Sequence, residues 1–150
     1  MSQYEHLFVK DMPDCMPSMR KDSETGEPLE YRYDNLGEGL WLMNQDLVPG
    51  SKVSMTHIWI HETTDPQLWV NQHQHETDEI LIFTGSNPDD PHDLGAEVYL
   101  EIEGERHTIT RSGAVYIPAG TKHCPLGWNR IDRPFRFSAL LLAPEYRAKD

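Results

Sequence analysis

Apolar and polar residues alternate along this chain in short runs, and the runs are cut by glycine, proline and aspartate. Leu29, Tyr31 and Tyr33 alternate with Glu30, Arg32 and Asp34. Leu40-Trp-Leu-Met43 opens a second run, and Val48-Pro-Gly-Ser51 turns the chain back. In a third run Val53, Met55, His57, Trp59 and His61 fall on one side, with Ser54, Thr56, Ile58 and Ile60 on the other. A ligand-rich run follows Thr63-Thr-Asp-Pro66, and an acidic Pro/Asp loop runs from Gly85 to Gly95. Val98, Leu100 and Ile102 alternate with Tyr99, Glu101 and Glu103, and Gly104 marks a tight hairpin into residues 107–111. Residues 113–118 and 135–142 complete the series. A strand sends successive side chains to opposite faces, so each run predicts a strand.

No helical stripe exceeds two turns, and no repeat is present. Many short strands joined by Gly/Pro/Asp turns predict an all-β antiparallel sandwich or barrel. Closing the sheet removes its exposed edges and leaves a mouth able to hold one ligand. Residues 1–28 carry no period and are broken by Pro13, Pro17 and Pro28. They predict an irregular N-terminal arm, with a short helix at most, ahead of a single β domain over 29–150. Both sides of the third run carry large groups, which predicts a strand covered on both faces. Ile58 with Ile60, and Ile80 with Ile82, suggest an apolar second face and hence a homodimer, with the arm as additional cover.

Composition narrows the partners. A length of 150 residues suits one domain with one core, and the 37% apolar fraction suits a folded chain. The formal net charge of −12 repels phosphate backbones, so nucleic acid is not an expected partner. No apolar run is long enough to cross a membrane as a helix. The start lacks a secretory pattern, and Cys15 and Cys124 read as free thiols, so the expected location is cytoplasmic.

The candidate chemistry lies in residues 71–85. If that stretch is extended and unbulged, His73, His75 and Glu79 all point the same way. His123, in Pro118-Ala-Gly-Thr-Lys-His123, supplies a fourth candidate from another strand. Neutral imidazoles with one carboxylate suit a divalent transition metal such as Fe, Zn, Ni or Mn. Four protein ligands on a six-coordinate ion leave two positions open, the mark of a catalytic rather than a closed site. Glu79, the one anionic ligand, could also move a proton. Tyr116 and His57 are further candidates for catalytic roles if they face the cavity. Cys124 alternates away from His123 and reads as packing, and Trp41, Trp59, Trp69 and Trp128 read as core.

These segments resemble the paired motifs of the cupin superfamily. The first motif is matched by His73-Gln-His75, Glu79 and Gly85, the second by Gly113, Pro118-Ala-Gly120 and His123. Gln67 stands where the first motif has a glycine, and Gly127 where the second has an asparagine. The resemblance implies a six- to eight-stranded jelly roll with His73, His75, Glu79 and His123 as metal ligands inside it. It implies a metal-dependent enzyme acting on a small organic molecule, either an oxygenase or a Lewis-acid isomerase, decarboxylase or lyase. A non-catalytic metal- and ligand-binding barrel is the alternative, and a metal that only braces the barrel is a third.

Overall fold

The structure, a computed structural model, describes residues 3–15 and 33–145. Among them are one short 3-10 helix, Glu5–Leu7, and nine strands. The strands are β1 (Leu36–Met43), β2 (Ser54–Ile60), β3 (Gln67–Val70), β4 (Glu79–Gly85), β5 (Asp93–Ile102), β6 (Glu105–Arg111), β7 (Gly113–Ile117), β8 (His123–Ile131) and β9 (Phe135–Leu141). They form two antiparallel sheets, one in the order β1-β2-β9-β4-β7 and the other β3-β8-β5-β6. Nine strands exceed the six to eight expected. The fold is nearly all β, as the alternation predicts.

The register of the five-stranded sheet arranges its inward side chains in rows. Ser54, Leu141, Glu79 and Ile117 form the row at one end. Thr56, Ala139, Leu81 and Val115 form the next, and Ile58, Phe137, Phe83 and Gly113 the third. Ile60, Phe135 and Gly85 close the opposite end. The four-stranded sheet contributes Leu94, Val98, Leu100, Leu126 and Trp128, each at most 2% exposed. Burial of these apolar surfaces between the sheets drives the assembly. The carboxylate of Glu79 therefore stands among apolar residues at one mouth of the core.

The faces of β2 differ from expectation. Ser54, Thr56, Ile58 and Ile60 are the buried side, while Met55, His57 and Trp59 are half-exposed on the outer side. Ile58 and Ile60 thus belong to the core and not to a dimer face. Two faces of similar bulk left the inward one undecided in the sequence, and the second sheet selects it. Trp59 is not core either: it lies outside, 6.2 Å from the His57 ring and under the Arg136 guanidinium. Ile80 and Ile82 do lie on the outer side of β4, half-buried.

Only Tyr33 and Asp34 of the first predicted strand fall within the described residues, and neither is in a strand. Of the N-terminal segment, Pro13 to Cys15 runs along β1. Trp41 N–H donates to Pro13 O at 2.8 Å and Cys15 N–H to Gly39 O at 2.9 Å. Cys15 is 3% exposed and packs in the core. The β5–β6 hairpin turns at Glu103-Gly104, both with positive φ, the two-residue turn whose twist matches its strands. No helix among the described residues is long and apolar enough to cross a membrane.

Candidate metal centre

Residues 71–79 are not one strand. β3 ends at Val70 and β4 starts at Glu79, with a bend at Glu76-Thr77 between them. His73 instead pairs with His123: its N–H donates to His123 O at 3.0 Å, and His123 N–H returns to His73 O at 2.9 Å. The shared direction expected from strict alternation is therefore produced differently. A bridge sets His73 beside His123, and the bend brings His75 over the first residue of β4.

The result is a tight cluster. Ligand atoms of His73, His75, Glu79 and His123 all lie within 4.8 Å of one another. His123 Nε2 is 3.1 Å from Glu79 Oε1, and His75 Nε2 is 3.4 Å from the same oxygen. His75, Glu79 and His123 are at most 3% exposed, and His73 is half-buried. The rings of His73 and His123 approach to 4.4 Å.

The two approaches to Glu79, at 3.1 and 3.4 Å, fit a metal. Two atoms each about 2.1 Å from one ion stand about 3 Å apart at a right angle and about 4.2 Å apart in opposition. Glu79 Oε1 and His123 Nε2 are buried and have no hydrogen-bond partner, so their contact is an approach and not a bond. Buried polar atoms without partners cost roughly 1–3 kcal/mol each, and an ion would satisfy both at once. The outer nitrogens are already committed. His73 Nδ1 lies 2.8 Å from Asn71 O, and His123 Nδ1 lies 3.0 Å from Thr121 O. A carbonyl can only accept, so each ring carries its proton outward and aims the Nε2 lone pair inward.

The electrostatics agree. Burial drives the His73 pKa down to about 4, keeping that ring neutral. Burial alone would raise the Glu79 carboxyl, but the approach of His123 and His75 outweighs it and holds the pKa at about 2. The Glu79 anion therefore stands beside a neutral His73 ring at neutral pH.

Backbone contacts fix the loops that carry the ligands. Gly120 N–H donates to His75 O at 2.8 Å, with Gly120 in the left-handed region at φ 78°. Asp78 accepts from the Tyr116 hydroxyl and, at 2.8 Å, from Ala119 N–H. The two bonds lower the Asp78 pKa, the Tyr116 bond the more. Sequence reasoning missed Asp78, although it sits beside Glu79 and its partner Tyr116 lies opposite Ile80 in the β4–β7 register.

The other candidates fall elsewhere. Tyr116 is 55% exposed on the outer side and so does not face the interior. His57 is also outside, its pKa lowered by burial and by Arg136. Cys124 packs in the core and stands outside the metal cluster, as expected, although its φ of 72° interrupts regular strand geometry. Burial and the Glu79 charge push its thiol pKa up. His6, His92 and His107 are exposed, as expected.

No family model matches the sequence, and no curated protein matches it. Solved structures do. An oxalate oxidase aligns with a TM-score of 0.54 at 13% identity, over 99% of this chain and 67% of its own. A cupin-2 domain protein from Rhodospirillum rubrum gives 0.49 at 10%, over 81% and 72%. KdgF from Halomonas sp. gives 0.48 at 11%, over 78% and 86%. The chain has a cupin fold. Within this fold the two departures from the motif pattern, Gln67 and Gly127, pack against each other. Gln67 pairs with Trp128, whose Nε1 donates to Gln67 Oε1 at 2.5 Å. A Cβ on Gly127 would lie 2.3 Å from Gln67 O and 2.4 Å from the Tyr99 hydroxyl, so an asparagine cannot fit there.

Proposed function

We propose that this cupin is a metal-dependent enzyme that acts on a small organic molecule through one divalent transition ion held by His73, His75, Glu79 and His123. The observation that carries the reading is the buried convergence of three imidazoles and one carboxylate within 4.8 Å, with the outer nitrogens of His73 and His123 tied to carbonyls. Such an ion supplies Lewis acidity or, if it is iron, redox chemistry. The protein's own part is to keep His73 neutral, the carboxylate ionised and the ion enclosed. Glu79 is also the group best placed to hold or move a proton beside the ion.

Metal analysis of protein purified without an affinity tag tests the first half. About one ion per chain is expected, with a sharp loss in His75→Ala and in His123→Ala. Full occupancy in both variants would refute the assignment. The second half is tested by turnover of a carboxylate and catechol panel with and without dioxygen. Oxygen-dependent turnover would make the chain an oxygenase, and oxygen-independent turnover a Lewis-acid enzyme. A loaded protein without turnover on any substrate would be a binding cupin.

A further inference from the structure

The barrel wall across from the histidines holds polar groups that the metal cluster does not use. Ser54 is 2% exposed, and its hydroxyl has no hydrogen-bond partner. An unpaired hydroxyl in a core is a liability of roughly 1–3 kcal/mol, which an alanine would avoid. Ser54 stands in the same inward row as Glu79, two strands away across Leu141. Two strand spacings separate the backbones by roughly 10 Å, and the side chains of Ser54, Leu141 and Glu79 stand side by side on the inner face. The row below is lined on this side by Thr56 and Ala139, both small, where the third row carries Ile58 and Phe137. The wall therefore recedes next to the metal cluster. Beneath it Trp69 packs on Phe137 at 5.3 Å and on Trp128 at 5.8 Å, and its Nε1 is also buried without a partner.

From this, and resting on the metal reading above, we propose that Ser54 forms a recognition subsite for a neutral oxygen at the far end of a small, singly charged ligand. The Ser54 hydroxyl can donate to that oxygen or accept from it. The oxygen must be uncharged. The buried polar residues among those described are Asn35, Ser54, Thr56, His75, Glu79 and His123, with no lysine or arginine. A divalent ion less the charge of Glu79 leaves one positive charge, which balances one carboxylate. A second buried carboxylate would stand unpaired, at a cost the site cannot offset. The net charge of −12 works in the same direction. The class implied is a short monocarboxylate with a hydroxyl or carbonyl oxygen a few bonds from its carboxylate.

Three ligands of similar length separate the contributions: 4-hydroxybutyrate, butyrate and succinate. Each is titrated into Co(II)-loaded protein of measured metal content, followed by the visible spectrum of the cobalt and by tryptophan fluorescence. Wild type should bind 4-hydroxybutyrate about tenfold more tightly than butyrate, and succinate most weakly. Ser54→Ala should abolish the preference for the hydroxyl while leaving butyrate affinity and cobalt content unchanged. Ser54→Thr, which keeps the hydroxyl, should restore it. An undiminished preference in Ser54→Ala, tighter binding of succinate, or binding of none of the three by loaded protein would overturn this inference alone. Failure of the wild type to hold cobalt would overturn the metal reading as well.

Discussion

His73 and Glu79 make the folded state sensitive to acid, and the direction follows from their shifts. The His73 pKa falls from 6.5 to about 4 on folding, chiefly through burial. As pH drops through that window the unfolded chain takes up a proton that the folded chain refuses, so stability is intact above 6.5 and declines toward 4. The Glu79 pKa falls from 4.5 to about 2, so its contribution is present above 4.5 and is lost below. Chelator-treated protein should therefore lose up to about 3 kcal/mol between neutral pH and pH 4, read as a falling urea midpoint. His73→Gln should flatten that decline, and an equally steep decline in the variant would assign it to other groups. Metal binding should weaken over the same range, because a protonated imidazole cannot ligate. Glu79→Gln separates the roles of the ligands. Three imidazoles remain, so much of the metal should stay, while most turnover should be lost. Wild-type turnover per bound metal in Glu79→Gln would remove the carboxylate from the mechanism.

The strands show what a sequence can and cannot disclose. Period-two alternation located β2, β4 and β9, because each buries one face, and Gly104 located the β5–β6 hairpin, although β6 is almost wholly exposed. The ligand residues were legible because their side chains are the chemistry. Their arrangement was not: the bend at Glu76-Thr77 and the left-handed Cys124 interrupt the alternation that had been used to orient them. The groups that set the tautomers, Asn71 O and Thr121 O, are backbone atoms to which side-chain identity gives no clue. Inward and outward faces of β2 carry comparable bulk, so only the opposing sheet decides between them. Gly127 is the reverse case, a departure from the family pattern that becomes intelligible once Gln67 O and Tyr99 are seen pressed against it. Gly127→Ala should lower stability by about 2 kcal/mol or more, measured by denaturant unfolding. A stability equal to wild type would mean that β3 and β5 yield to the methyl without cost.

The outer side of the five-stranded sheet bears on the whole molecule. Met55, Ile80, Ile82 and Leu140 line it, all half-buried, and apolar patches of this kind commonly mark contacts between copies. We predict a dimer, twice the chain mass of 17.3 kDa by light scattering at micromolar concentration. Ile80→Arg with Ile82→Arg should give monomers that keep their metal, since both side chains point away from the site. A monomeric wild type would refute the prediction.

The cluster also joins two bodies that the core alone would hold together. Glu79 belongs to the five-stranded sheet, whereas His123 begins β8 of the other sheet and carries His73 with it through their bridge. An ion shared among them is a clasp across the mouth of the sandwich. Opening that mouth would then require a ligand to leave, so amide hydrogens of β4 and β8 near the clasp should exchange with deuterium together and slowly in loaded protein. After chelation the two strands should exchange faster and independently, while β1, three strands from β4 at the edge of its sheet, keeps its rates.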